Sequence, residues 1–212
     1  MNTRMITWTD GLLDSLNIPY LDSTKDAVNF MQSHKKEFVW NILSNFEKIT
    51  ASLPQTKDII LGKKVKGVQY GELIQIKEYA KGVDFIINLI EHNVFDQSKH
   101  ILCCIHSCIA SKEVSQEQLG RFRTWDVTLH KVKYKPPKHS LLDELWNESL
   151  KFNNIKNPVE QALIHFLNLS RTQFFYDNNK RTAMLYANAL LITKKFDHFI
   201  YQLKITKNSY LI

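Results

Sequence analysis

The amino-acid sequence predicts a mainly α-helical fold with one β-hairpin. Apolar residues recur near the 3.6-residue helical period through two long segments, residues 27–49 and 70–92. The chain contains only six glycines, so few positions interrupt these helices. The alternation typical of a strand is confined to residues 127–134 and, more loosely, to residues 199–205. Neither an internal repeat nor a low-complexity linker divides the chain.

The remaining elements follow from the same pattern, in chain order. The most apolar run, residues 101–110, predicts a helix before the hairpin. After the hairpin, which a Pro-Pro pair stops, segments 141–152 and 159–169 again have helical spacing. Pro158 stands at the start of the second segment, a position that proline favours. Residues 183–192 are rich in Ala and Leu and predict the last helix.

Length and composition indicate an ordinary soluble protein. The 212 residues suffice for one domain, or for one domain with an appendage, and are 44% hydrophobic and 23% charged. No apolar run reaches the ~18 residues that a membrane helix needs, and residues 1–13 lack the apolar stretch of a secretory signal. We therefore expect no membrane partner. The cysteines cluster at Cys103, Cys104 and Cys108, which argues against a disulfide framework and for the reducing cytoplasm.

The net charge of +7 raises the question of a nucleic-acid partner. The basic residues are scattered, and neither a groove-reading helix nor a zinc module is visible in the sequence. A solvated basic surface, or a site for an acidic protein, is favoured over recognition of DNA or RNA.

Residues 173–183, with the sequence Q-F-F-Y-D-N-N-K-R-T-A, are the most informative segment. Residues 177–179 are of the types that start helices, and they precede the last predicted helix. Lys180 and Arg181 therefore fall in its first turn, where the helix macrodipole already presents partial positive charge. Each cation costs roughly 0.3–1 kcal/mol there, unless an anion is bound. The pattern predicts a phosphate site; the simpler alternative is an N-cap cluster without a ligand.

The same segment resembles the signature loop of the Fic/Doc (Fido) family, H-P-F-x-D-G-N-[GK]-R. The residues that match it in order and spacing are Phe175, Asp177, Asn179, Lys180 and Arg181. The chain departs from the loop where Gln173 replaces the His, Phe174 the Pro and Asn178 the Gly, and where Met184 replaces a common second Arg. The chain therefore resembles a bacterial cell-filamentation (Fic) protein with a degenerate signature.

The similarity spans roughly residues 56–192. Residues 120–123 resemble a Gly-Arg-(Phe/Tyr)-Arg segment of the family, and residues 134–137 resemble the Tyr-x-Pro-Pro that ends its β-hairpin flap. Residues 105–106 resemble its Leu-His pair on an earlier helix, and residues 157–165 resemble the helix that leads into the signature.

This resemblance implies a Fic-type helical bundle. The flap would occupy about residues 124–137, and the signature loop residues 173–183. We expect an N-terminal helical extension, residues 1–55, packed on a Fic-like core, residues 56–212.

The resemblance also implies a reaction, the transfer of AMP from ATP to a Ser, Thr or Tyr hydroxyl of a protein target, with Mg²⁺ as cofactor. In the family the signature His takes the proton from that hydroxyl. The implied site residues are Asp177 for Mg²⁺; Asn178, Asn179, Lys180 and Arg181 for the nucleotide phosphates; Phe175 as the anchor of the loop; and Lys133 and Tyr134 for docking the target.

Gln173 decides how much activity to expect, because a carboxamide is not basic near neutral pH. Loss of a positioned base costs ~10²–10⁴-fold in rate. The first hypothesis is therefore a weak or inactive AMP-transferase scaffold. The second is a pseudoenzyme that binds or regulates a partner protein through its flap. The third is a Doc-like phosphotransferase. In the Doc branch of the family, a Lys at the position of Lys180 accompanies a reversed nucleotide and transfer of the terminal phosphate, and Asn178 crowds the same space further.

Residues outside the loop raise two further hypotheses. His165, on the preceding helix, could replace the missing base. His100, Cys104 and Cys108 share one stripe of a helix and could bind a metal, although small cysteines on an apolar helix usually belong to the core.

The flap and its regulation leave alternatives open. Lys131, Lys133 and Lys135 alternate along the flap, which suits either the docking of an acidic target or the protection of an edge strand. Many family members have an inhibitory helix whose Glu reaches the signature Arg, and the nearest counterpart, residues 52–62, contains no Glu. Either there is little activity to restrain, or a separate antitoxin or regulator supplies the inhibition.

Overall fold

The structure is a computed structural model that describes residues 19–129 and 133–197. Within these residues the regular structure is helical, and the only β-pairing is an isolated antiparallel bridge between Tyr20 and Phe196. The α-helices are α1 (Thr24–Phe46), α2 (Leu53–Ile60), α3 (Tyr70–Glu91), α4 (Lys99–Ala110), α5 (Leu142–Ser149), α6 (Pro158–Thr172) and α7 (Asn179–Thr193). Short 3₁₀ segments at His139–Leu141 and Leu150–Asn154 flank α5. The predicted mainly helical fold is confirmed.

Side-chain caps fix where four of the helices begin. Ser23, Ser52, Ser98 and Asn157 each accept a hydrogen bond from a backbone N–H in the first turn of the following helix. At α2 the Gln55 side chain also accepts from the backbone N–H of Ser52, which completes a capping box. Helix α2 was not predicted from the sequence, because its eight residues are too few for a clear hydrophobic period.

Helix α7 lies at the centre of the fold and packs against α1, α3, α4 and α6. Thirteen of its fifteen residues are buried, including Ala183 and Ala187 at 0% exposure. Small residues allow close approach at these crossings. On α3, a Cβ added at Gly82 would lie 2.3 Å from Ile109 of α4 and 2.7 Å from Leu185 of α7. The helix that follows the signature loop is therefore held rigidly from several sides.

The predicted β-hairpin at residues 124–137 is not seen among the described residues, because neither residues 124–129 nor residues 133–137 form a strand. Its centre, residues 130–132, lies outside the described part of the chain, as does the looser strand predicted at residues 199–205. In the described part, the carbonyls of Trp125 and Pro137 accept from the Arg123 side chain instead of from another strand, and Pro-Pro at 136–137 offers no N–H for a ladder. We keep the name flap for residues 124–137.

The part of the N-terminal extension that the structure describes contributes to the same hydrophobic core as the rest of the chain. Phe38, Val39 and Leu43 of α1 are completely buried, and α1 packs on α2, α3 and α7. The division into residues 1–55 and 56–212 stays a prediction. Among the described residues, no helix combines the length and the apolar character that crossing a membrane requires.

Candidate functional site

The signature loop connects α6 to α7 through two residues with left-handed backbone conformation. Gln173 ends α6 with φ of 54°, and Asn178 precedes α7 with φ of 60°. A left-handed conformation is unfavourable for most residues other than glycine, and Asn tolerates it better than most. Asn178 thus has a backbone conformation that glycine adopts without strain. Both atoms of its buried side-chain amide lack a hydrogen-bond partner among the described residues.

The side chain of Asn179 holds the loop together from inside. Its Oδ1 accepts from the backbone N–H of Phe175 at 2.9 Å, and its Nδ2 donates to the Phe175 carbonyl at 2.9 Å. Nδ2 also donates to Oε1 of Gln173 at 3.1 Å, and Nε2 of Gln173 donates to the carbonyl of Ser170 at 2.5 Å. The amides of Gln173 and Asn179 thus find partners within the protein.

The ring of Phe175 packs against a buried histidine, His106. The two rings stack with centroids 3.9 Å apart and planes 7° from parallel. Nδ1 of His106 accepts from the backbone N–H of Gly120 at 3.0 Å, so the proton of the neutral ring is on Nε2. Burial lowers the pKa of His106 to about 4, so the ring is neutral at pH 7. Phe175 is therefore buried against α4, and the anchoring role that the family resemblance implies for it stays a prediction.

Arg181 points into the protein and is held by two glutamates. Its Nη1 and Nη2 donate to the two carboxylate oxygens of Glu113 at 2.8 and 2.7 Å, in the bidentate geometry typical of arginine. Its Nε lies 3.0 Å from Oε1 of Glu47, the residue that follows α1. The side chain is only 2% exposed. Burial alone would lower the pKa of Arg181, but the Glu113 hydrogen bonds and the charge of Glu47 raise it above its ordinary value.

Glu47 and Glu113 are functional candidates that the sequence analysis missed. Residues 52–62, the expected place of a carboxylate partner for the signature Arg, contain no Glu. Glu113 lies 68 positions from Arg181, and no periodicity or motif links the two residues. Only the packing of α1 and α4 against α7 brings these carboxylates to the guanidinium.

The groups that remain available at the start of α7 are Asp177, Lys180 and backbone N–H groups. Asp177 is exposed, and its Oδ1 accepts from the backbone N–H of Asn178 at 2.6 Å. Lys180 is partly exposed in the first turn. The first N–H groups of a helix have no partner within it, so this end favours an anion. These groups fit a phosphate and Mg²⁺, whereas Arg181 and Asn179 already have protein partners.

Comparisons with known proteins identify a family for these elements. The family described as Fic/DOC family matches residues 96–191, which include α4, the flap and the complete signature loop. The chain carries a Fic/DOC domain. No curated protein matches the sequence closely.

Solved structures share the fold of this Fic/DOC domain at low sequence identity. Fic-1 (residues 134–508) from C. elegans superposes with a TM-score of 0.69 and 21% identity, covering 85% of this chain and 54% of that one. A Fic domain containing signaling protein from Bacteroides thetaiotaomicron superposes with a TM-score of 0.65 and 19% identity, covering 82% of this chain and 68% of that one. A Fic family protein from Desulfovibrio desulfuricans superposes with a TM-score of 0.59 and 15% identity, covering 84% of this chain and 62% of that one. The chain thus spans about half the length of the C. elegans structure.

The flap of the Fic/DOC domain lies against its signature loop. The phenol oxygen of Tyr176 accepts from the backbone N–H of Thr124 at 2.7 Å, and the Trp125 ring packs on the Tyr176 ring at 4.3 Å. Farther along the flap, the Tyr134 ring lies 4.6 Å from the guanidinium of Arg171 on α6. The predicted docking residues Lys133 and Tyr134 are therefore close to α6, whereas Lys131 lies outside the described residues.

His165 is unsuited to replace the missing base. Its ring is buried, meets the ring edges of Phe152 and Tyr186, and has Nε2 3.0 Å from Oδ1 of Asn153. Burial lowers its pKa to about 4, which makes it a weak base as well as an inaccessible one.

The cysteine stripe of α4 does not form a metal site. Sγ of Cys104 lies 3.6 Å from Nε2 of His100, but no group of three potential metal ligands occurs within residues 19–129 and 133–197. Burial raises the pKa of Cys103 to about 11 and also raises the pKa of Cys108. Of the three stripe residues, Cys108 packs against the hydrophobic core, whereas His100 is exposed.

Proposed function

We propose that this Fic/DOC domain is a protein AMP-transferase scaffold whose transfer step is weak or lost. The observation that carries the proposal is the environment of Gln173. Its amide donates to the Ser170 carbonyl and accepts from Asn179, and a carboxamide takes no proton near pH 7. A target hydroxyl that approaches this position meets a hydrogen-bonding group but no base.

The engagement of Arg181 supports the same proposal. A phosphate that used this guanidinium would have to displace the bidentate carboxylate of Glu113 and the contact to Glu47. Both carboxylates would then remain near the incoming negative charge, which opposes binding. The phosphates therefore lose the strongest donor that the family resemblance provides.

What remains of the site suits weak nucleotide binding. Asp177 would hold Mg²⁺ through a carboxylate oxygen, and Lys180 with the N–H groups of the first turn of α7 would bind phosphate oxygens. When bound, Mg²⁺ would neutralise part of the negative charge of the phosphates. ATP and Mg²⁺ accordingly stay part of the proposal. The free thiols suit the cytoplasm as the compartment.

Binding of a partner protein is the second candidate function. The observation in its favour is an exposed aromatic group beside the signature loop, where Trp125 is 54% exposed and packs on Tyr176. Tryptophan and tyrosine are enriched among residues that dominate binding energy at interfaces. Lys133 and Lys135, exposed farther along the flap, would favour an acidic partner. Doc-like transfer of the terminal phosphate stays a third candidate because Lys180 remains accessible.

The test is a label-transfer assay with α-labelled or γ-labelled ATP, Mg²⁺ and cell lysate. The variants are wild type, Gln173→His and, as a matched control, Gln116→His, which adds an imidazole at an exposed site outside the loop. We expect α-label transfer from Gln173→His and little or none from wild type and the control.

Each other outcome selects a different function. Strong α-label transfer by wild type would contradict the proposed loss of activity, and γ-label would indicate the Doc-like reaction. If no lane is labelled and the variants remain folded, the partner-binding function is the better conclusion. Lys180→Ala serves as the phosphate-site control, because Arg181→Ala would also remove contacts that stabilise the fold.

A further inference from the structure

Arg123 is a buried arginine whose hydrogen-bond partners are backbone carbonyls. Its side chain is 0% exposed, and its one carboxylate contact among the described residues is 3.7 Å long. Nε donates to the Gln173 carbonyl at 2.7 Å, Nη1 to the Trp125 carbonyl at 2.9 Å, and Nη2 to the Pro137 carbonyl at 2.5 Å. The backbone N–H of Arg123 donates to the Phe174 carbonyl at 2.9 Å. One residue thus satisfies four carbonyls.

These carbonyls belong to two segments that the sequence keeps apart. Trp125 and Pro137 lie at the two ends of the flap, whereas Gln173 and Phe174 begin the signature loop. Because a guanidinium is planar and its N–H groups diverge in a fixed fork, it holds its acceptors in a fixed relative position. Arg123 therefore fixes both ends of the flap with respect to the first residues of the loop.

The same contacts stabilise the unusual backbone of Gln173. A residue with a side chain adopts the left-handed conformation only where its surroundings compensate for the strain. Arg123 bonds to the carbonyl of Gln173 and, through its backbone, to the carbonyl of the next residue. The direction in which the side chain at position 173 points follows from this backbone conformation.

We propose that Arg123 is a positioning residue that orients the side chain at position 173 and fixes both ends of the flap relative to it. It does so through backbone carbonyls, from a side chain that is completely buried. The inference rests on the proposed function in one respect, since position 173 would receive a proton only in a scaffold built for transfer.

Amide hydrogen exchange tests the proposal without any ligand. In Arg123→Met, exchange should accelerate roughly tenfold or more in the flap and in residues 173–176, while α3 and α4 exchange as in wild type. Arg123→Lys, which keeps the charge but has no fork, should fall in between. Arg121→Met is the matched control, because Arg121 is exposed and its replacement should change neither segment. Unchanged exchange, or an equal increase in all helices, would overturn the proposal.

A second arm uses the Gln173→His background. There Arg123→Met should lower kcat for label transfer with little change of KM for ATP, and Arg123→Lys should restore part of the loss. A rise in KM at constant kcat would contradict a positioning role. If Gln173→His alone is inactive, the proposed transfer scaffold fails, and the exchange experiment still decides the role of Arg123 by the same criterion.

Discussion

Replacement of Arg181 by Met should destabilise the fold, although the residue belongs to a loop that the family resemblance assigns to nucleotide binding. The change removes a guanidinium that is 2% exposed and leaves Glu47 and Glu113 without their shared partner. Removing one partner of a buried ion pair costs about 3–5 kcal/mol. Here we expect the lower end, because the Glu47 and Glu113 side chains are 30% and 16% exposed and can be rehydrated.

The expected loss of about 3 kcal/mol in the free energy of unfolding should appear in both chemical and thermal denaturation. For a chain of this length, 1 kcal/mol corresponds to roughly 2–4 °C in Tm, so Tm should fall by roughly 6–12 °C. Urea titration followed by far-UV circular dichroism gives the free energy, and differential scanning calorimetry gives Tm.

Lys180→Met is the matched control, because it removes a neighbouring cation from the same helical turn. Lys180 is partly exposed at the positive end of α7, so its loss should leave stability unchanged or raise it by roughly 0.3–1 kcal/mol. A wild-type urea midpoint for Arg181→Met, with a loss of ATP binding alone, would contradict a structural role of Arg181. That result would mean that the guanidinium serves the phosphate rather than the fold.

Three other perturbations have definite expected outcomes. Gly82→Ala should lower the free energy of unfolding by about 1–3 kcal/mol through overpacking. Gly71→Ala should not lower it, because the space around the new Cβ is open. Thermal unfolding of the two variants measures the difference. Burial lowers the pKa of His106 and of His165 to about 4, so the unfolded chain binds more protons between pH 6.5 and 4. Stability is therefore full above pH 6.5 and falls toward pH 4, by at most roughly 3–4 kcal/mol per histidine. Urea midpoints at pH 7 and pH 5 measure this loss, and a flat profile would contradict the buried neutral rings. Asn178→Gly should keep the left-handed backbone and remove the amide that has no partner among the described residues. The variant should therefore bind Mg²⁺-ATP more tightly, which titration calorimetry detects. Unchanged or weaker binding would count against a phosphate site at this position.

The longer helices and the place of the signature loop could be predicted from local sequence, whereas α2 could not. The periods of residues 27–49 and 70–92 predicted α1 and α3, because a helix that buries one face must repeat its apolar residues every three to four positions. The residue types at 177–179 predicted where α7 begins. The left-handed conformation of Asn178 could also be anticipated, since the family has glycine there.

Tertiary structure decided which polar groups of the loop are engaged. Arg181 and Asn179 have the same residue types that the family resemblance assigns to phosphate binding, yet Arg181 is paired with Glu113 and Asn179 bonds to its own loop. Likewise Val127–Leu129 alternates as a strand would, yet Arg123 binds carbonyls at both ends of the flap and no strand forms in the described part of that segment. Helical period and capping act between neighbouring residues and can be deduced from sequence. A hydrogen bond between residues dozens of positions apart depends on how the helices pack, and only the folded chain specifies it.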